Sequence, residues 1–122
     1  MKVYNTPNII PAGTVMNTTI TSKAMQLQFM YGYSIQVVFT GTPTGTFKLQ
    51  ASADSCLIAD FPNLPTNWQD ITDSPFAVTS AGDYVWNVFD VMYNWVRVVY
   101  TDSSGGTSTA VITVCTFNGK GV

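Results

Sequence analysis

The 122-residue chain contains no histidine and no glutamate. Those absences remove the side chain that titrates nearest neutrality, the commonest metal ligand and the acid most often raised for proton transfer, so acid–base catalysis is not expected. Cysteine is also scarce. Cys56 and Cys115 stand alone, with no C-x-x-C pair, which argues against a zinc or redox site and for two buried free thiols. Basic residues number 5 against 7 acidic ones, for a net charge of −2, and without a basic footprint nucleic acid is not expected as a direct partner. No long apolar run occurs: Ile35 to Phe39 is short, and Trp95 to Tyr100 is interrupted by Arg97. Membrane spans need ~20 such residues. With no leader-like apolar segment either, the expectation is a soluble product made in the cytoplasm, with no membrane partner.

Hydrophobic residues make up 46% of the chain and charged ones only 10%. The length suits one domain with a single core. A charged fraction well below the usual quarter leaves a neutral exterior, and such an exterior suits a homo-oligomer or a larger assembly whose neighbours cover it.

Along the chain, short β-rich runs alternate with turn clusters, and no helical period persists. The opening segment carries Pro7, Pro11 and Gly13 and predicts an extended N-terminal arm over 1–13, with a single β-sandwich over 14–122. Such an arm is a natural docking element, which makes Tyr4, Ile9 and Ile10 candidate interface residues. Met25, Leu27 and Phe29 alternate with glutamines, predicting a strand. Tyr33, Ile35, Val37 and Phe39 define one face of the next strand, and Phe47, Leu49 and Ala51 one face of the strand after it. The intervening GTPTG predicts a hairpin. Residues 53–67 lack a period and predict a long loop. Three short runs follow, NWQDIT, PFAVTS and DYVWNV, and predict a meander. The run WVRVVY leads through DSSGG, a second predicted hairpin, into TSTAVITVCTF, whose two apolar faces predict a central strand. The fold class is therefore all-β, an antiparallel β-sandwich of which the jelly roll is one form.

Candidate site residues are few. Trp86 and Trp95 lie in alternating strands and are expected in the core, whereas Trp68, beside the long loop, is a candidate interface or ligand aromatic. Asp54, Asp60, Asp70 and Asp73 crowd the same region, but their spacing matches no calcium loop, and solvated turn carboxylates explain them. No metal or other cofactor is expected. Arg97, the one arginine, sits in an apolar strand and predicts a structural ion pair with Asp83, Asp90 or Asp102. Serines and threonines lack an accompanying base, and no G-x-S-x-G or Ser-x-x-Lys pattern occurs. No catalytic residue is nominated.

The passages GTPTGTFKLQASADS, NWQDITDSPFAV and AGDYVWNVFDVMYNWVRVVYTDSSGGTSTAVITV together resemble small β-sandwich virion structural proteins of tailed bacteriophages, of decoration, head-fibre or tail-associated type. The likeness runs from Tyr31 to Val114. The order of a tryptophan, a D-I pair, a tyrosine and an R-V strand is also similar to discoidin-like carbohydrate-binding sandwiches. The first resemblance implies a non-enzymatic virion subunit held by contacts with capsid, fibre or tail proteins; the second implies an adhesion module that contacts host-surface glycans.

Overall fold

The computed structural model describes residues 2–56 and 64–121. Among these residues there are eleven strands and no helix. They are β1 (Lys2–Thr6), β2 (Thr14–Val15), β3 (Ile20–Thr21), β4 (Met25–Gln26), β5 (Met30–Thr40), β6 (Gly45–Ser52), β7 (Gln69–Asp70), β8 (Phe76–Val78), β9 (Gly82–Phe89), β10 (Trp95–Asp102) and β11 (Val111–Gly121). All pairings are antiparallel. One sheet runs β1-β11-β5-β9 with β2 also on β11; the other runs β3-β10-β6-β7 with β4 on β10 and β8 on β6. The two sheets enclose one core, as the alternation of apolar residues requires.

The predicted inward faces are observed for β5, where Tyr33, Ile35, Val37 and Phe39 are buried, and for β6 at Phe47 and Leu49, whereas at the end of β6 Ala51 is only half-buried and Ser52 is buried instead. The strand at the C-terminal end of the chain is central, as its two apolar faces predict, lying between β1 and β5. Its pattern differs in one respect. A bulge between Ile112 and Val114 adds a residue against β5 and reverses the alternation, so Cys115 and Phe117 turn inward while Val114 turns out. Burial pushes the Cys115 thiol up to about 12, and both cysteines are free and buried.

Several connections differ from the expected hairpins. Strands β5 and β6 belong to different sheets, as do β10 and β11, so GTPTG and DSSGG carry the chain across the sandwich. Phe39 and Phe47 explain the first crossing: they meet across the core with ring centroids 5.4 Å apart. In the second, the Asp102 carboxylate accepts hydrogen bonds from the Ser104 amide (3.0 Å), the Ser104 hydroxyl (2.6 Å) and the Gly106 amide (3.0 Å). These bonds hold its carboxyl below the usual range. The expected meander is divided too, with β7 and β8 on β6 and β9 on β5. The strand expected over Met25 to Phe29 stops at Gln26, because Phe29 adopts a positive φ of 66° in a turn.

The N-terminal segment is extended at Lys2–Thr6, and it lies along its own domain. β1 pairs with β11 from Lys2↔Gly121 to Thr6↔Phe117, the Ile9 amide donates to the Cys115 carbonyl at 3.0 Å, and the Gly13 amide donates to the Ile112 carbonyl at 2.8 Å. Its backbone groups complete the sheet of its own domain.

One core group is poorly served. Tyr100 is fully buried and its hydroxyl has no hydrogen-bond partner among the described residues. Gly45 faces it so closely that a Cβ there would clash with that oxygen. Replacing Tyr100 with phenylalanine keeps the ring and removes the orphaned hydroxyl. The expected result is a gain of about 1 kcal/mol, read in a thermal melt as a Tm higher by roughly 3–5 °C.

Candidate interaction surface

The sequence-nominated residues fall in three separate places. Ile9 and Ile10 are 1% and 0% exposed and belong to the core, so they offer nothing to a partner. Tyr4 is half-buried in β1, opposite Gly119. Trp68 and Arg97 come together on the outer side of the second sheet.

Arg97 projects from β10 away from the core, because Val96 and Val98 take the inward positions. Its guanidinium lies over the Trp68 ring at 4.1 Å from the centroid, and its Nε donates to Gln50 Oε1 at 2.9 Å. Among the described residues no aspartate forms the expected ion pair with it. Among the described residues the ion pair formed is Lys48–Asp70, at 3.1 Å. A half-exposed arginine keeps its charge by stacking on an indole face, where only one side of the cation is desolvated, so a carboxylate is not required. Trp68 in turn donates its indole N–H to the Pro65 carbonyl at 3.3 Å. Its ring face toward Arg97 is therefore already covered.

The aspartates are likewise committed. Asp54 accepts from the amides of Thr66 (2.8 Å) and Asn67 (3.0 Å) and from the Asn67 side chain (3.1 Å). These bonds, the Asn67 side chain foremost, hold its carboxyl below the ordinary value. Asp70 accepts from Gln50 and Lys48, which depress it in the same way. Asp73 occupies a turn with φ of 65°. Asp60 lies outside the described residues, as does half of the predicted long loop. Among the described residues no group of three His, Cys, Asp or Glu side chains gathers to hold a metal, and no helix is long and apolar enough to cross a membrane.

Sequence reasoning missed the first sheet's outer face and its edge. Three of the four sheet borders are made of short strands laid end to end: β1 with β2, β3 with β4, and β7 with β8. The fourth is β9, eight unbroken residues whose second side pairs with no strand among those described. Natural sheets guard such borders with lysine, proline or bulges. β9 has none of these, and its one charge is Asp83 near the start. Next to it, at one end of the sandwich, four apolar side chains stand in solvent: Phe29, Tyr31, Phe89 (71% exposed) and Met92 (91% exposed). Their backbone segments adjoin, because Gly32 pairs with Phe89 and the Val91 amide donates to the Tyr31 carbonyl. Between the edge and the turn at Ile71–Ser74 runs an open groove of about 370 Å³. The signal was present in the alternation of DYVWNVF, but edge or centre is a property of pairing that one strand's sequence does not carry.

No family model and no curated protein sequence matches the chain. Among solved structures, the crystal structure of PirA is similar at 15% identity and a TM-score of 0.49, over 97% of this chain and 93% of that one. The coat protein of tobacco streak virus is similar in two structures. The C2 crystal form gives 9% identity and a TM-score of 0.48 over 98% of this chain and 88% of the other. The dimer gives 8% and 0.48 over 98% and 86%. At these identities and scores the likenesses say nothing about what this chain does.

Proposed function

We propose that the chain is a non-enzymatic structural protein of a tailed-phage virion, a capsid decoration or a head- or tail-attached accessory subunit, acting through protein–protein contacts. The observation that carries the assembly role is β9, a continuous unguarded edge beside an exposed apolar tip. A strand from a neighbouring chain adds to such an edge through main-chain hydrogen bonds, while Phe29 and Met92 supply apolar burial. The low charge fraction supports the same reading, since 10% charged residues solvate an exterior poorly. A contact of roughly 800 Å² per partner is enough for a stable interface, and repetition over a symmetric particle multiplies it. The virion assignment rests on the sequence resemblance over Tyr31 to Val114, and locates the protein on the particle after synthesis in the host cytoplasm.

Two measurements test this. Protein mass spectrometry of density-purified particles from the producing culture should find the chain in many copies per particle; its absence from clean particles overturns the virion assignment. Light scattering of the purified protein should give a homo-oligomer that Val85→Lys, which places a charge on the edge strand, reduces to a monomer. An oligomer unaffected by that change would place the contact elsewhere.

A further inference from the structure

A second feature of the first sheet's outer face points to a small ligand. Strand β5 contains Gly32 in its interior, at a φ outside the left-handed region, so no turn demands glycine there. Glycine within a strand weakens it and marks a place where something approaches the backbone closely. Above it opens a cleft of about 230 Å³. A Cβ on Gly32 would lie 3.0 Å from the Val88 carbonyl oxygen, so β9 itself, beside the register shift at Lys120/Gly121, accounts for the glycine, and the missing side chain leaves the cleft open.

The walls have a definite chemistry. Phe89 and Tyr31, both exposed, line the cleft, and Ser34, Asn87, Asn118 and Lys120 supply polar groups. Register explains the convergence: Asn118, Ser34 and Asn87 are direct neighbours across β11, β5 and β9, and Lys120, Gly32 and Phe89 form the next row. Asn118 Oδ1 accepts a 2.6 Å hydrogen bond from the Asn5 side chain. Its amide N–H groups are thereby left to donate. Among the described residues the side chains of Ser34, Asn87 and Lys120 have no protein partner.

We infer that this cleft binds one pyranose residue of a glycan. Amide and hydroxyl groups both donate and accept, as sugar hydroxyls do, and an aromatic face beside them receives the apolar C–H face of the ring. A single lysine is too little for a nucleic-acid strand, and the walls hold no carboxylate for a metal ion. The site lies on the opposite sheet from Trp68, the aromatic that the sequence nominates for glycans. The cleft shares Tyr31 and Phe89 with the apolar tip beside β9, but it needs no neighbouring chain, so a protein that fails to oligomerise can still bind sugar here.

The experiment is saturation-transfer NMR on the intact protein with the methyl glycosides of glucose, galactose, mannose and N-acetylglucosamine, each at about 10 mM, suited to dissociation constants near 1 mM. At least one should receive saturation on its ring protons. Phe89→Ala and Asn87→Ala, both at exposed positions, should each weaken binding about tenfold, and Trp68→Ala should leave it unchanged. Absence of transfer to all four sugars overturns the inference. So does transfer that survives Phe89→Ala or is lost with Trp68→Ala.

Discussion

Truncation of Phe47 to alanine is expected to cost about 3–5 kcal/mol, against a total of roughly 5–15 kcal/mol for a domain of this kind. Phe47 is fully buried, and rings from both sheets converge on it. Their centroids lie at 4.7 Å for Tyr100, 5.2 Å for Phe76, 5.4 Å for Phe39 and 6.3 Å for Trp86. The ring therefore joins strands β5, β6, β8, β9 and β10 at one point. Alanine would lose the transfer free energy of the ring, and the flat faces around it cannot collapse onto a methyl group without leaving their own partners. In urea the midpoint should fall with an unchanged slope, as for a loss of stability without a change in the surface exposed. Phe76, only half-buried, should tolerate the same change at about 1–2 kcal/mol. Equal costs at the two positions would mean that the cluster does not hold the sheets together.

Much of this core was legible in the sequence, because a period of two assigns faces without knowledge of neighbours. The alternation of Tyr33, Ile35, Val37 and Phe39, and of Phe47 and Leu49, names the inward residues correctly. Connectivity was less legible. GTPTG and DSSGG state that the chain turns, and the same residues serve a return within one sheet or a crossing to the other. What decides is whether the flanking faces meet side by side or across the core, as Phe39 and Phe47 do. The candidate surface was less legible still. Gly32, Asn87 and Asn118 are 55 and 31 positions apart in order, and only the register of three strands makes them one cleft. Arg97 shows the opposite limit: its strand position correctly demanded a partner, but the sequence offered aspartates, and the fold supplied Trp68 and Gln50.

The double replacement Ile9→Ala and Ile10→Ala is expected to be as damaging as any change in the sheets, although it falls in a segment rich in turn signals. Pro7, Pro11 and Gly13 make that segment irregular, and Asn8 (φ 56°) and Gly13 (φ 84°) carry its bends. In a regular strand two adjacent residues face opposite ways. A kinked segment escapes that rule, and here both isoleucines are buried in the same core. The backbone is tied on both sides, since the Ile9 carbonyl accepts from the Lys23 amide at 2.9 Å while its amide donates to Cys115. Each truncation should cost about 2–5 kcal/mol, and neighbours that share one cavity will not add independently. Together they should leave the protein largely unfolded in the absence of denaturant, seen as loss of the near-ultraviolet circular dichroism of the packed aromatics. Val3→Ala, in the same segment but exposed, should stay within about 0.5 kcal/mol. A folded, stable double variant would return Ile9 and Ile10 to the interface. Loss of folding would establish that the first dozen residues close the core of this domain.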